Sequence, residues 1–151
     1  MICKAIPTQL DAVRRITQET IDAVYPRYYP AGAVAFFKAH HSDAAISADI
    51  AAGNVYLFWA EGEPVGTVTV RANEIARLFV LPAHQRRGCG KQLLDFAESL
   101  IAADYREVVI DSSLPAKPVY LKRGYAETEY HIIPTDEGHF LCYDVMRKTL
   151  P

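Results

Sequence analysis

Val80-Leu81-Pro82-Ala83-His84-Gln85-Arg86-Arg87-Gly88-Cys89-Gly90-Lys91 joins two segments of different periodicity. Before it runs a β-rich stretch, Glu74 to Val80. After it Leu93, Phe96, Ala97, Leu100 and Ile101 recur at the three-four spacing of an amphipathic helix. The unit is therefore strand, glycine-bearing loop, helix. Glycine lets a backbone come close to a ligand, the first amides of a helix have no acceptor within it, and the helix's positive end attracts anions. With Arg86, Arg87 and Lys91 alongside, the junction predicts a cradle for a diphosphate. A plain tight turn would explain the glycines but gives the cations no packing reason to cluster. Two familiar phosphate loops are excluded by their own spacing. G-x-x-x-x-G-K-[ST] would put its first glycine at Gln85 and its hydroxyl at Gln92, and G-x-G-x-x-G begun at Gly88 would need glycine at Leu93.

Working outward, Val55 to Ala60 and Val65 to Val70 are further β-rich runs, separated by Glu61-Gly62-Glu63-Pro64, and so read as a hairpin. The Arg71-Ala72-Asn73 turn leads from it into the Glu74 strand. Towards the N-terminus, Ile2 to Ile6 reads as a short strand and Thr8 to Asp11 as a capping box opening a helix through about Val24. Leu10, Val13, Thr17, Ile21 and Val24 would be its buried face. Pro26 and Pro30 break that helix, a second runs from Ala31 to about His40, and a third from Ala44 to Ala52 stops at Gly53-Asn54. Beyond the loop helix, Val108 to Asp111 is a strong strand and Pro115 to Arg123 a short helix ended by Gly124. Tyr125 to Ile133 and Phe140 to Met146 form a closing strand pair.

Composition bounds what such a chain does. At 151 residues, 50% hydrophobic and 23% charged, it has the make-up of one compact domain, residues 1–151, with a real core. With 16 Lys+Arg against 18 Asp+Glu the net charge is -2, which offers no general attraction to nucleic acid or anionic lipid, so any anion site is local. No stretch approaches the roughly 18 apolar residues of a membrane span, and no secretory signal opens the chain. Cys3, Cys89 and Cys142 are an odd set at no metal or disulfide spacing, which fits a reducing cytoplasm.

The pattern V-x-P-x-x-Q-x-x-G-x-G after a strand resembles motif A of the GNAT superfamily of N-acetyltransferases, and every defining position matches. The order around it is similar too: strand-turn-strand before the loop, a strand ending in Asp111-Ser112-Ser113 after its helix, then Tyr120-Leu121-Lys122-Arg123-Gly124-Tyr125. The likeness spans about Val55 to Ile133; residues 1 to 54 match only in being helical. The resemblance implies a mixed α/β fold, with a central, mostly antiparallel sheet of six to seven strands flanked by helices. It implies acetyl-CoA as co-substrate, no metal, and an amine acceptor whose identity the sequence leaves open. Pairing of two copies is left open as well.

Site residues follow from the same resemblance. The backbone at Leu78, Phe79 and Val80 would pair with the pantetheine arm, and the Leu78 amide would face the oxyanion. Gln85, Arg86, Arg87, Gly88, Cys89, Gly90 and Lys91 would surround the pyrophosphate, with Ser112 at the end of the following strand. Tyr120 occupies the position of a phenol that protonates the departing thiolate; otherwise it is a core tyrosine. Glu74 stands where histone-acetylating members carry their base; otherwise it is an exposed turn residue, and His131 is a second candidate base. Cys89 has no base partner in the sequence and is set aside as a nucleophile, and His131, His139 and Cys142 fit no familiar zinc spacing. Tyr25, Tyr28, Tyr29, Phe36 and Phe37 lie where similar proteins roof the acceptor pocket. Two rival functions remain: a CoA-binding sensor without turnover, against which Tyr120 argues, and a transferase using a longer acyl-CoA.

Overall fold

The computed structural model describes residues 1–151. Strands β1 (Ile2–Lys4), β2 (Val55–Ala60), β3 (Glu63–Arg71), β4 (Glu74–Val80), β5 (Glu107–Ser112), β6 (Ala126–Pro134) and β7 (Phe140–Thr149) form one sheet. Their order is β1-β2-β3-β4-β5-β7-β6, and every neighbouring pair is antiparallel except β4–β5. The helices are α1 (Leu10–Val24), α2 (Ala31–His40), α3 (Asp43–Ala51), α4 (Cys89–Ala102) and α5 (Lys117–Lys122).

Two helical layers cover the sheet. Gly66 of β3 backs onto Leu93 of α4 on one face, while Arg77 of β4 reaches Asp49 of α3 and His41 just beyond α2 on the other. Ile16, Ile21, Ile46, Leu57, Leu93, Leu94, Ile101, Ile110 and Met146 are wholly buried between these layers. Burying each such side chain stabilises the fold by about 1.5–3 kcal/mol before chain entropy is counted. The mixed α/β architecture with a mostly antiparallel seven-stranded sheet is the one the motif implied.

The start of α1 differs from the sequence expectation. Pro7–Gln9 is a 3₁₀ turn, and the capping contact runs from the Ile6 amide to Gln9 Oε1 at 3.0 Å, so Thr8 and Asp11 form no box. Proline fixes the first residue of that turn, leaving the Ile6 amide as the donor in need of a partner. The buried face of α1 is Val13, Ile16, Thr17, Thr20 and Ile21. Leu10 and Val24 pack only at its margin.

Two irregularities in β4 position the site. Thr69 pairs with Arg77 and Val70 with Ile75, so Ala76 is the extra residue of a β-bulge. The bulge shifts the side-chain alternation by one and brings Glu74 to the face already occupied by Arg77 and Phe79. The parallel pairing of β4 with β5 is also short, joining only Glu74 to Val109 and Ile75 to Ile110. Beyond Ile75 the two strands diverge, and a cleft opens between them.

Candidate active site

The divergence leaves one edge of β4 without a neighbour. Leu81 donates its amide to Val65 O at 2.8 Å. Because paired and unpaired positions alternate along an antiparallel ladder, the amides of Phe79 and Arg77 turn to β3, while those of Leu78 and Val80 turn to the cleft. The Val80 carbonyl shows the same orientation, accepting Gln85 Nε2 at 2.9 Å and Thr20 Oγ1 at 3.2 Å. Gln85 therefore ties the loop to the strand end, a role carried by its side chain.

The loop continues this edge. The amides of Arg86, Arg87, Gly88, Cys89, Gly90 and Lys91 donate to no group of the protein, and intrahelical bonding resumes only at Gln92, whose amide meets Gly88 O at 3.0 Å. Arg86 (φ 61°) and Gly88 (φ 84°) both hold left-handed conformations. That backbone favours glycine at 88 and is strained at Arg86, and such turns direct successive amides toward a shared hollow. Gly90 has no such backbone reason: a side chain there would meet only Val80 Cγ2 at 4.0 Å. What an enlarged residue 90 would obstruct is the space outside the chain.

Two cavities meet in the cleft. The larger, about 550 Å³, is lined by Leu78, Phe79, Val80, Gln85, Arg86, Gly88, Gly90 and Lys91, with an apolar rim of Val24, Tyr28, Leu94, Pro115 and Val119. The smaller, about 180 Å³, lies under α2 and is lined by Glu74, Asp111, Arg71, Arg77, His40, His41 and the rings of Phe36, Phe37 and Tyr143, among others. Tyr25, Leu78, Phe79, Ser113, Ala116 and Tyr120 line both and form the passage between them.

Three expected donor-side residues keep their side chains out of the larger cavity. Arg87 is exposed and lines neither cavity, because the left-handed turn at Arg86 separates the two side chains. The Cys89 side chain points into the core and only its amide faces outward, away from the role of nucleophile. Ser112 is buried, gives its hydroxyl to Ser113 O at 3.0 Å and lines the smaller cavity, so Ser113 faces the larger one in its place. Lys91 lines the larger cavity with its ammonium 2.7 Å from Asp95.

Tyr120 is buried in the passage, and burial, with Tyr25 and Tyr125 nearby, holds its phenol protonated far above the ordinary tyrosine range. Burial likewise pushes Tyr25 up to about 12. Glu74 is half-buried; burial and then the charge of Asp111 raise its carboxyl above the usual range, with Arg71 opposing. His131 stacks on Tyr143 and pairs with Glu129 at 3.0 Å on the exposed strand β6, and it lines neither cavity.

No motif or spacing announces the polar network beneath the smaller cavity. Arg77, almost wholly buried, donates to Thr69 Oγ1 at 2.8 Å, His41 Nδ1 at 3.2 Å and Asp49 Oδ2 at 3.2 Å. Arg71 forks onto the same Asp49 at 2.9 and 3.0 Å. Burial works against the Asp49 charge, but the bonds and charges of the two arginines outweigh it and lower its pKa. Burial, with Arg77 next to it, drops His41 to about 3 and keeps it neutral. The roof above is pinned from two sides. The Leu114 amide donates to Tyr29 Oη at 2.7 Å, and the Gly32 amide of α2 donates to His139 Nδ1 at 2.9 Å.

This combination is that of a known class. A profile of the acetyltransferase (GNAT) domain matches residues 24–148, and the chain belongs to the GNAT family of acyltransferases. No curated protein is similar enough in sequence to be matched. Among solved structures it is similar to a GCN5-related N-acetyltransferase (aminotransferase, class II) from Rhodopseudomonas palustris. The TM-score is 0.90 at 23% identity, over 99% of this chain and 95% of that one. It is also similar to PaiA N-acetyltransferase from Thermoplasma acidophilum in complex with coenzyme A (TM-score 0.73, 19% identity, 99% and 98% covered). A third is a phosphinothricin acetyltransferase from Sinorhizobium meliloti in complex with AcCoA (TM-score 0.75, 16% identity, 99% and 88% covered). At these identities the likeness is one of fold.

Proposed function

We propose that the protein moves an acetyl group from acetyl-CoA to a primary amine by direct attack in a ternary complex. The observation that carries this reading is the run of undonated amides from Arg86 to Lys91, continuous with the open edge of β4. A diphosphate at the head of α4 satisfies amides that nothing in the chain satisfies, and the open edge offers backbone groups to an amide-bearing arm. The apolar rim of the larger cavity suits the alkyl parts of that arm, and Gly90 leaves the approach clear.

On this reading each step falls to a named group lining the cleft. The Leu78 amide, fixed by the ladder and facing the cleft, donates to the carbonyl oxygen as charge grows on it. Glu74, with its pKa raised towards neutrality, takes the ammonium proton through water, because only the neutral amine attacks. Tyr120, in the passage, gives its proton to the departing thiolate. Its raised pKa makes it a weaker acid, but a thiolate leaving in the same apolar surroundings has its own pKa raised by the same desolvation. The whole activity rests in one domain of residues 1–151. No helix is long and apolar enough to cross a membrane. With three free cysteines and no net positive field, the proposed setting is the cytoplasm, with acetyl-CoA and the amine as partners.

The test is CoA release from acetyl-CoA on addition of amines, with mass spectrometry of the protein incubated with acetyl-CoA alone. Release that depends on amine, from a protein that gains no acetyl group, is the expected result. Tight CoA binding with no release for any amine class would instead make the chain a sensor.

A further inference from the structure

The smaller cavity carries an unbalanced set of charges. Arg71 and Arg77 share the carboxylate of Asp49, and Arg77 also donates to His41 and Thr69. His41, held neutral, adds no charge. Glu74 and Asp111, by contrast, line the cavity and have no ion-pair or hydrogen-bond partner in the protein. The β4–β5 register pairs Glu74 with Val109, so Asp111, two residues on in β5, projects from the same face of the sheet. A cation is what this pair lacks, and Asp111, exposed near the end of β5, is the more accessible of the two carboxylates.

Size and walls narrow the body that carries the cation. A cavity of about 150 Å³ lined by apolar side chains takes one benzene. This one offers about 180 Å³ and is walled by the rings of Tyr25, Phe36, Phe37, Phe79 and Tyr143. Tyr25 and Phe37 stand edge to face at 4.7 Å, the geometry in which such rings accept another aromatic edge. A carboxylate on the acceptor would meet two guanidiniums already neutralised in part and two unpaired carboxylates that repel it.

We infer that the acceptor, on the acetyl-transfer reading above, is an arylalkylamine held at its ammonium by Asp111: a primary amine on a short arm from one aromatic ring, bearing no carboxylate. Asp111 then acts as a binding residue that discriminates among amines, while Glu74 receives the proton.

The experiment compares 2-phenylethylamine, L-phenylalanine and spermidine as ligands of the CoA-saturated protein by calorimetry, alongside turnover of each with acetyl-CoA. The first should bind at least about tenfold more tightly than either of the others. Asp111→Asn should weaken it by about tenfold, with CoA binding retained as the check on folding. If L-phenylalanine or spermidine binds as well as 2-phenylethylamine, the acceptor class is wrong whatever the variant does. If Asp111→Asn binds CoA and 2-phenylethylamine like the wild type, the Asp111 anchor is wrong. Turnover of another amine with no binding of 2-phenylethylamine overturns this inference and leaves acetyl transfer standing. Selective binding of 2-phenylethylamine without turnover does the reverse.

Discussion

The two cavities that meet at Tyr120 are built from different parts of the polypeptide. The larger is mainly backbone: the amides of residues 86 to 91 and the open edge of β4 form its active surface, and side chains serve as rim. The smaller is mainly side chain, assembled from α2 and the turns beside it, β3, β4, β5, α5, β6 and β7. A diphosphate with an amide-bearing arm offers a repeating hydrogen-bond surface that backbone alone can match. An amine on a variable body needs charge and shape that only side chains supply. Substitutions should therefore separate cleanly, with those at the loop changing donor affinity and those beneath α2 changing acceptor use and stability.

The largest effect is expected where the cavities join. Tyr120→Phe keeps the buried ring and deletes the hydroxyl, so kcat should fall by about a hundredfold to ten-thousandfold with KM for both substrates near wild type. A rise in KM alone would make the hydroxyl a binding group.

Glu74→Gln tests the acceptor side and should lower kcat/KM by about a hundredfold. In the wild type the acid limb of the kcat/KM profile should lie above the ordinary carboxylate pKa of about 4.3, because burial and Asp111 favour the protonated form. Activity accordingly rises with pH through that limb. Asp111→Asn removes the neighbouring charge and should move the limb to lower pH; a limb that stays in place would remove Glu74 as the titrating base.

Arg86→Gln and Arg87→Gln sharpen the donor side. Arg86 lines the larger cavity and Arg87 does not, so the first should weaken CoA by about tenfold and the second by less than about twofold. Equal losses would mean that the loop turns Arg87 inward on binding.

A stability readout concerns the scaffold under the smaller cavity. His41 has a folded value of about 3 against an ordinary 6.5, so between these limits the unfolded chain binds a proton that the folded chain refuses. Its contribution to stability is whole above pH 6.5 and declines as pH falls, by up to ~1.4 kcal/mol per unit. Asp49, with a lowered pKa, adds a loss only at more acid pH. Urea midpoints between pH 5 and 7 should show the decline, and His41→Asn should flatten it.

The same division explains what the sequence discloses. The donor loop is contiguous, and Val80 to Lys91 spell it out in order, with Gly88 demanded by its left-handed backbone. Strand and helix limits near it are equally legible: β4 and α2 fall where the periodicity puts them. The Asp49–Arg71–Arg77–His41 network is drawn from three elements and one turn, and no spacing announces it. The bulge at Ala76 is invisible in a pattern that counts strict alternation, yet it decides that Glu74 faces the smaller cavity. Ser112 and Ser113 divide at the end of β5 in a way that spacing does not announce either. β5 ends at Ser112, which lines only the smaller cavity, while Ser113 beyond it lines both.

The loop assignment is tested most directly by calorimetric titration of CoA into the wild type and Gly88→Asp. Aspartate at 88 must adopt the left-handed backbone and sets a negative charge among the free amides of residues 86 to 91. The expected result is measurable CoA binding to the wild type and a loss of at least about a hundredfold in a variant that still unfolds cooperatively. CoA affinity equal to the wild type in that folded variant would contradict the placement of the donor on the loop.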